Sequence, residues 1–147
     1  MTGRPSLSDN SDMTEERQTF NKDERLCRIR LISDIFENGN VFHTPLFKVV
    51  WMKCSGEFKP PAQIAISVPK KNVRLAVTRN LIKRRIRESY RKNKWMLYDV
   101  LNKENIQVAF VVIFRKNIVP DYNSVNTAVS EMIILLGRKA TLLKEKC

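Results

Sequence analysis

Apolar residues at positions 26, 29, 32, 35 and 36 have the spacing of one helical face, and Gly39 follows as a stop signal. Residues 24–38 therefore read as a first helix. The period then changes. Phe47 to Met52 is rich in β-branched and aromatic residues and reads as a strand, with Val41 to His43 a shorter strand ahead of Pro45. Gly56 to Pro61 has loop composition. Gln63 to Val68 alternates polar or small residues with β-branched ones and stops at Pro69, giving a third strand. A helical period returns from Ala76 to about Tyr98. Ile106 to Phe114 is a near-continuous apolar run, as expected of a strand buried on both sides. Pro120-Asp121 opens a last helix whose apolar positions 125, 129, 132 and 136 lead to an end at Gly137. The order α-β-β-β-α-β-α predicts an α+β two-layer sandwich, one sheet with helices packed on it. Residues 1–22 lack any hydrophobic period and read as a disordered arm, 23–140 as the domain, and 141–147 as a basic C-terminal tail. There is no internal repeat.

Charge adds what periodicity does not show. Residues 70–94 hold eleven of the chain's 27 lysines and arginines and one acid, Glu88. Their net charge is +10, in a chain whose total is +12. On a helix of about 100° per residue, Ile82, Ile86 and Tyr90 form one apolar stripe. Asn80, Arg84, Arg87 and Arg91 fall within about 60° of one another on the opposite side, with Lys83 flanking them. An ordinary solvated face would interleave Glu and Asp for (i, i+4) pairing, and here they are nearly absent. Arginine binds phosphate through planar, bidentate contacts, and asparagine adds hydrogen bonds to sugar or base edges. The pattern points to nucleic acid.

Other classes fall away on composition. A pI near 10.0 also suits an anionic membrane, but the basic helix lacks the broad Leu/Phe/Trp face of an interfacial helix. No run approaches the roughly 18 apolar residues of a spanning helix. The first 24 residues contain no apolar core of a secretory signal. Cys27, Cys54 and Cys147 share no CxxC or Cys/His spacing, so paired disulfides and zinc are not expected and a reducing cytoplasm fits. Cys27, beside Leu26, reads as a small buried or half-buried hydrophobe. His43 is the only histidine, which excludes a multi-histidine metal site. No constellation of nucleophile and base can be tied to it. A self-sufficient nuclease needs clustered carboxylates or histidines for metals, so no catalytic or metal-binding residue is assigned. A helix-turn-helix protein needs a short helix pair before its recognition helix, whereas this basic helix follows a strand and a Lys-Lys loop.

The stretch Val73-x-x-Ala76-x-x-Arg79-Asn80-Leu81-Ile82-Lys83-Arg84-Arg85-Ile86-Arg87 resembles the motif of the bacterial ribonuclease P protein component, in which Arg-Asn-Arg precedes an aliphatic residue and Lys-Arg. Ser67-Val68-Pro69-Lys70-Lys71 is similar to that family's strand exit. Ile32-Ser33-Asp34-Ile35-Phe36-Glu37-Asn38-Gly39 resembles its Phe-x-x-Val-Phe-x-x-Gly first helix. The resemblance covers roughly residues 25–138. Two positions depart from it: Leu81 replaces the second arginine of Arg-Asn-Arg, and Ile32 replaces the first aromatic.

The resemblance implies a ribosomal protein S5 domain 2-like fold with a left-handed β-α-β crossover, against the usual hand. It implies a subunit of the holoenzyme that removes the 5′ leader of precursor tRNA, with the chemistry carried by an RNA subunit. The protein would pair 1:1 with that RNA, which would itself hold most of the Mg2+. Lys70, Lys71, Arg79, Asn80, Lys83, Arg84, Arg87 and Arg91 would contact the catalytic RNA. Phe36, Phe47 and Val49 would line a cleft for the single-stranded leader, where every base offers a π-face for stacking. On spacing alone, Phe36 and Phe47 read as core. A structural RNA-binding protein of the ribosome is the other reading of the same charge and size.

Overall fold

Every strand expected from the pattern forms, and the sheet order explains why their compositions differ. A computed structural model describes residues 22–54 and 60–146. Helix α1 (Ile29–Asn38) is followed by β1 (Asn40–His43), β2 (Phe47–Cys54), β3 (Ala62–Ser67), helix α2 (Ala76–Glu104), β4 (Gln107–Phe114) and helix α3 (Tyr122–Lys146). The sheet order is β1-β2-β4-β3. β1 with β2 and β2 with β4 are antiparallel, whereas β3 and β4 are parallel neighbours joined through α2. β4 is thus central and covered on both faces, which is why its sequence is apolar without alternation.

Strand alternation divides the core in two. Phe47, Val49, Trp51, Val108, Phe110, Val112 and Phe114 join Ile82, Ile86, Tyr90, Met132 and Leu136 in the large cluster under α2 and α3. Val50, Ala109 and Val111 face the other way and join Leu26, Leu31 and Ile35 beneath α1. Gly39 lets α1 end against β2: a Cβ there would lie 2.4 Å from the Ile35 carbonyl oxygen and 2.8 Å from that of Trp51.

α2 and α3 run side by side in the same direction, with register held by a polar seam. Ser89 Oγ donates to Asn126 Oδ1 at 2.8 Å, and Asn93 Nδ2 donates to the same oxygen at 2.9 Å. Ser130 Oγ donates to Asn93 Oδ1 at 3.3 Å. Polar groups between helices persist only when bonded in this way. The Arg85 guanidinium donates to the Pro120 carbonyl at 2.6 Å, tying the loop before α3 to α2. The Ser124 N–H donates to Asp121 Oδ1 at 2.9 Å, capping α3 at the expected place.

Several boundaries differ from the sequence reading. The first helix starts at Ile29 and not at 24. A 3-10 turn occupies Lys22–Glu24, and the Leu26 N–H donates to the Ile64 carbonyl at 2.9 Å. Residues beside Leu26 are thus drawn straight along the otherwise open edge of β3. Cys27 is exposed and not buried, because Leu26 takes the inward position. α2 continues past Tyr98 to Glu104 and stops at Asn105, whose φ of 56° is the left-handed cap that asparagine tolerates. α3 passes through Gly137 to Lys146, so residues 141–146 are helical. Gly137 packs on Val100 within the helix, and the good helix formers after it carry the ladder on. The arm at 1–21 and most of the loop before Pro61 lie outside the described residues.

Candidate nucleic-acid interface

The basic helix buries the stripe that its period predicted. Ile82, Ile86 and Tyr90 are fully buried on the sheet, and Leu97 and Leu101 extend the stripe. This orients the other side outward. Asn80, Arg84 and Arg87 are exposed on one face, Lys83 is half-exposed beside them, and Lys70 and Lys71 are exposed in the turn that leads in from β3. That turn is fixed by N–H groups of Asn72 and Val73 donating to the Pro69 carbonyl at 3.0 and 3.1 Å. Asn72 Nδ2 also donates to the Phe114 carbonyl at 3.1 Å. Arg79 serves the same end: its Nη1 donates to the carbonyls of Val73 and Arg74 at 3.0 and 2.7 Å. Its charge remains, with part of its donor fork spent on the loop. Leu81, where the resemblance expects arginine, is half-buried.

The later basic residues of α2 have other fates. Arg91 Nη2 lies 2.6 Å from Glu88 Oε2, and Lys92 Nζ is 3.8 Å from the same oxygen. The hydrogen bond from Arg91 holds the Glu88 carboxyl below the ordinary glutamate range, so this acid stays ionised. Lys94 lies buried, with its ammonium 2.8 and 2.6 Å from the two oxygens of Glu24. Tyr98 donates its hydroxyl to Glu24 as well. Burial chiefly pushes the Tyr98 and Tyr90 hydroxyls well above the ordinary phenol range, so both remain neutral. Arg91 is thus half-neutralised within the face, and Lys94 is unavailable to any ligand.

The three residues expected to line a cleft do not come together. Phe36 is half-exposed on α1, one turn past the partly buried Ile32. Phe47 and Val49 are fully buried on the opposite face of the sheet, beneath α2 and α3, and cannot face a groove against α1. The period of two is the reason: Lys48 and Val50, not Phe47 and Val49, point to the α1 side. α1 crosses the sheet above the row of Ile64, Phe110 and Trp51. One end is set by the Leu26 bond to Ile64, the other by Gly39 against Trp51. The next rows toward the start of α2 end in His43, Lys48, Ile113 and Ser67, aligned across all four strands. His43 and Lys48 are exposed, and Ile113 and Ser67 half-exposed. This shelf was missed in the sequence, although Lys48 among apolar neighbours marks the outward parity. Arg115 is occupied, donating to the Thr44 carbonyl at 2.6 Å in the turn between β1 and β2.

Among the described residues no group of three or more His, Cys, Asp or Glu side chains is placed to hold a metal ion. Among the described residues no helix is long and apolar enough to cross a membrane. The arrangement is a rigid cationic helix face beside a mixed polar and apolar sheet surface. It can neutralise phosphates and hold extended chain.

The family described as Ribonuclease P matches residues 20–139. The Ribonuclease P protein component of Porphyromonas gingivalis is 33% identical over 118 residues, covering 80% of this chain and 86% of the relative. That of Petrotoga mobilis is 34% identical over 128 residues, covering 84% and 97%. Among solved structures, the RNase P protein from Thermotoga maritima superposes with a TM-score of 0.60 at 27% identity, covering 75% of this chain and 94% of that one. The Staphylococcus aureus RNase P protein, at 23% identity and TM-score 0.57, shares the fold.

Proposed function

This chain belongs to the ribonuclease P protein family, and we propose that it acts as the protein subunit of that ribonucleoprotein, holding the catalytic RNA on α2 and the 5′ leader of precursor tRNA on the sheet. The observation that carries the reading is the outward face of Asn80, Arg84 and Arg87 with Lys83, Lys70 and Lys71. Such a face reads phosphate and shape, which is how structured RNA is recognised. The leader, being single-stranded, needs apolar and stacking surface with cations at its border. Phe36 and Ile32 on α1, with Lys48, Ile113 and Ser67 on the shelf, supply both. These replace Phe47 and Val49 in the assignment.

Hydrolysis of the phosphodiester is left to the RNA, whose phosphates hold Mg2+, since hard cations favour such oxygens. The protein lowers the cost of bringing the reacting groups together by fixing the leader relative to the catalytic RNA. One basic face beside one shelf supports a 1:1 complex, working in the cytoplasm where tRNA precursors are made. Cleavage of precursor tRNA by the cognate RNA at low magnesium should depend on the chain. Phe36→Ala should weaken holoenzyme binding of precursor tRNA about 5- to 150-fold, the effect of one stacked base. Binding of mature tRNA should be nearly unchanged. Cleavage indifferent to the protein would remove the subunit role, and equal losses for both tRNA forms would remove Phe36 from the leader site.

A further inference from the structure

Two tryptophans in this chain have opposite environments: Trp51 is 3% exposed, and Trp95 is 56% exposed in the middle of α2. Its neighbours Met96, Leu97 and Tyr98 turn partly or fully inward, so the chain has apolar ground nearby that Trp95 does not use. At about 100° per residue, Trp95 falls within an arc of about 80° that also holds Asn80, Arg84, Arg87 and Arg91. It stands one turn past Arg91 and about 16 Å along the axis from Arg84. On α2 itself the acid beside this arc is Glu88, held by Arg91 at 2.6 Å with Lys92 at 3.8 Å, and Glu24 reaches the helix from the segment before α1 to pair with buried Lys94. One turn beyond Trp95 the sign reverses, with Asp99 paired to Lys103 at 3.5 Å. Trp95 therefore marks the end of the cationic track.

We propose that Trp95 is a stacking platform for an unpaired nucleobase of the catalytic RNA, at the point where the phosphate track along α2 ends. The occupant follows from charge and shape. A ligand that reaches Trp95 along this face is polyanionic, and the flat element of such a ligand is a base. Bases within a duplex are already stacked on each other, so the recipient site is a loop, bulge or end. Arg91, held in place by Glu88, is a cation one turn from the indole and adds attraction for a stacked base with its phosphate. The inference rests on the reading of the α2 arginines as the seat of the catalytic RNA.

The test is equilibrium binding of the cognate catalytic RNA to the full chain and to Trp95→Ala, Trp95→Phe and Arg84→Ala, over a range of salt. Trp95→Ala should weaken binding about 5- to 150-fold with the salt slope unchanged, because stacking releases no counterions. Trp95→Phe should keep most of the affinity, and Arg84→Ala should lower the slope by about one. In the unaltered protein, RNA should protect Trp95 emission from a soluble quencher. In Trp95→Phe the remaining emission, from buried Trp51, should not respond to RNA. Wild-type affinity in Trp95→Ala, beside a weakened Arg84→Ala, would overturn the stack and leave the subunit reading standing. Wild-type behaviour in both would overturn the two together. A slope lowered in Trp95→Ala as far as in Arg84→Ala would mean a disturbed helix and also sink the stack.

Discussion

α2 carries two sets of cations whose circumstances differ completely. Lys83, Arg84 and Arg87, in its first half, look into solvent with no carboxylate among the ion pairs of the described residues. Arg91, Lys92 and Lys94, a turn or two later, are answered by Glu88 and Glu24. The contrast separates charge from function. A buried ammonium is tolerated only where partners replace its lost hydration, and Lys94 has both Glu24 oxygens and the Tyr98 ring at 5.4 Å. That group fastens the segment before α1 to the far half of α2. Gln63 Nε2, donating to the Asp23 carbonyl at 2.7 Å, fastens the same segment to β3. Lys94 thus serves the fold, whereas Lys83, Arg84 and Arg87 are left for a ligand.

The largest expected effect breaks the inward half. Lys94→Ala leaves the Glu24 carboxylate buried without its cation and should cost about 3–5 kcal/mol of stability. Replacing both, as in Lys94→Met with Glu24→Leu, should recover much of that loss, since an apolar pair of similar volume needs no hydration. Chemical denaturation of the single and double variants measures it. Equal losses in the two would mean that packing, and not the uncompensated charge, is what Lys94 contributes.

A second test separates the halves by salt. Arg84→Ala should change stability by no more than about 0.5 kcal/mol, as for a surface position. It should nevertheless lower the salt slope of RNA binding by about one. Arg91→Ala should lower the slope by less, because its charge is already balanced by Glu88. Equal slopes for the two variants would mean that RNA displaces Glu88 and recruits Arg91 fully.

How much of this was readable beforehand follows from what each signal encodes. Period and composition gave the four strands, the three helices and the apolar stripe of α2, because each depends on local spacing. They did not give the partner of Lys94, since Glu24 lies seventy residues away and joins it only through the fold. On an ideal helix Lys94 falls among the outward arginines, and only the segment packed over it makes that position interior. The parity of β2 was hidden for a related reason. Phe47, Val49 and Val50 are all apolar because both faces of the strand are covered, so Lys48 alone marks the side that meets α1. Phe36, which spacing alone would have put in the core, is half-exposed on α1.

The smallest effect is the one that would join the two halves. Glu88 is the single acid of the basic stretch, and Arg91 keeps its carboxyl ionised below the ordinary glutamate range. A carboxylate with a lowered pKa contributes its contact above the ordinary value and loses it only as pH falls through the lowered one. The pair is therefore intact at neutral pH, and only substitution removes it there. Glu88→Gln should release Arg91 to phosphate and raise the net charge of the face by one. RNA binding should tighten severalfold at low salt, with a slope steeper by up to about one, and the gain should fade as salt rises. Stability should hardly change, since an exposed helix pair of this kind contributes about 0.3–0.5 kcal/mol. Binding isotherms at two or three salt concentrations decide it. Weaker binding in Glu88→Gln would show that the carboxylate positions Arg91 for its ligand, and that the division of α2 into an inward and an outward half begins one turn later than its ion pairs suggest.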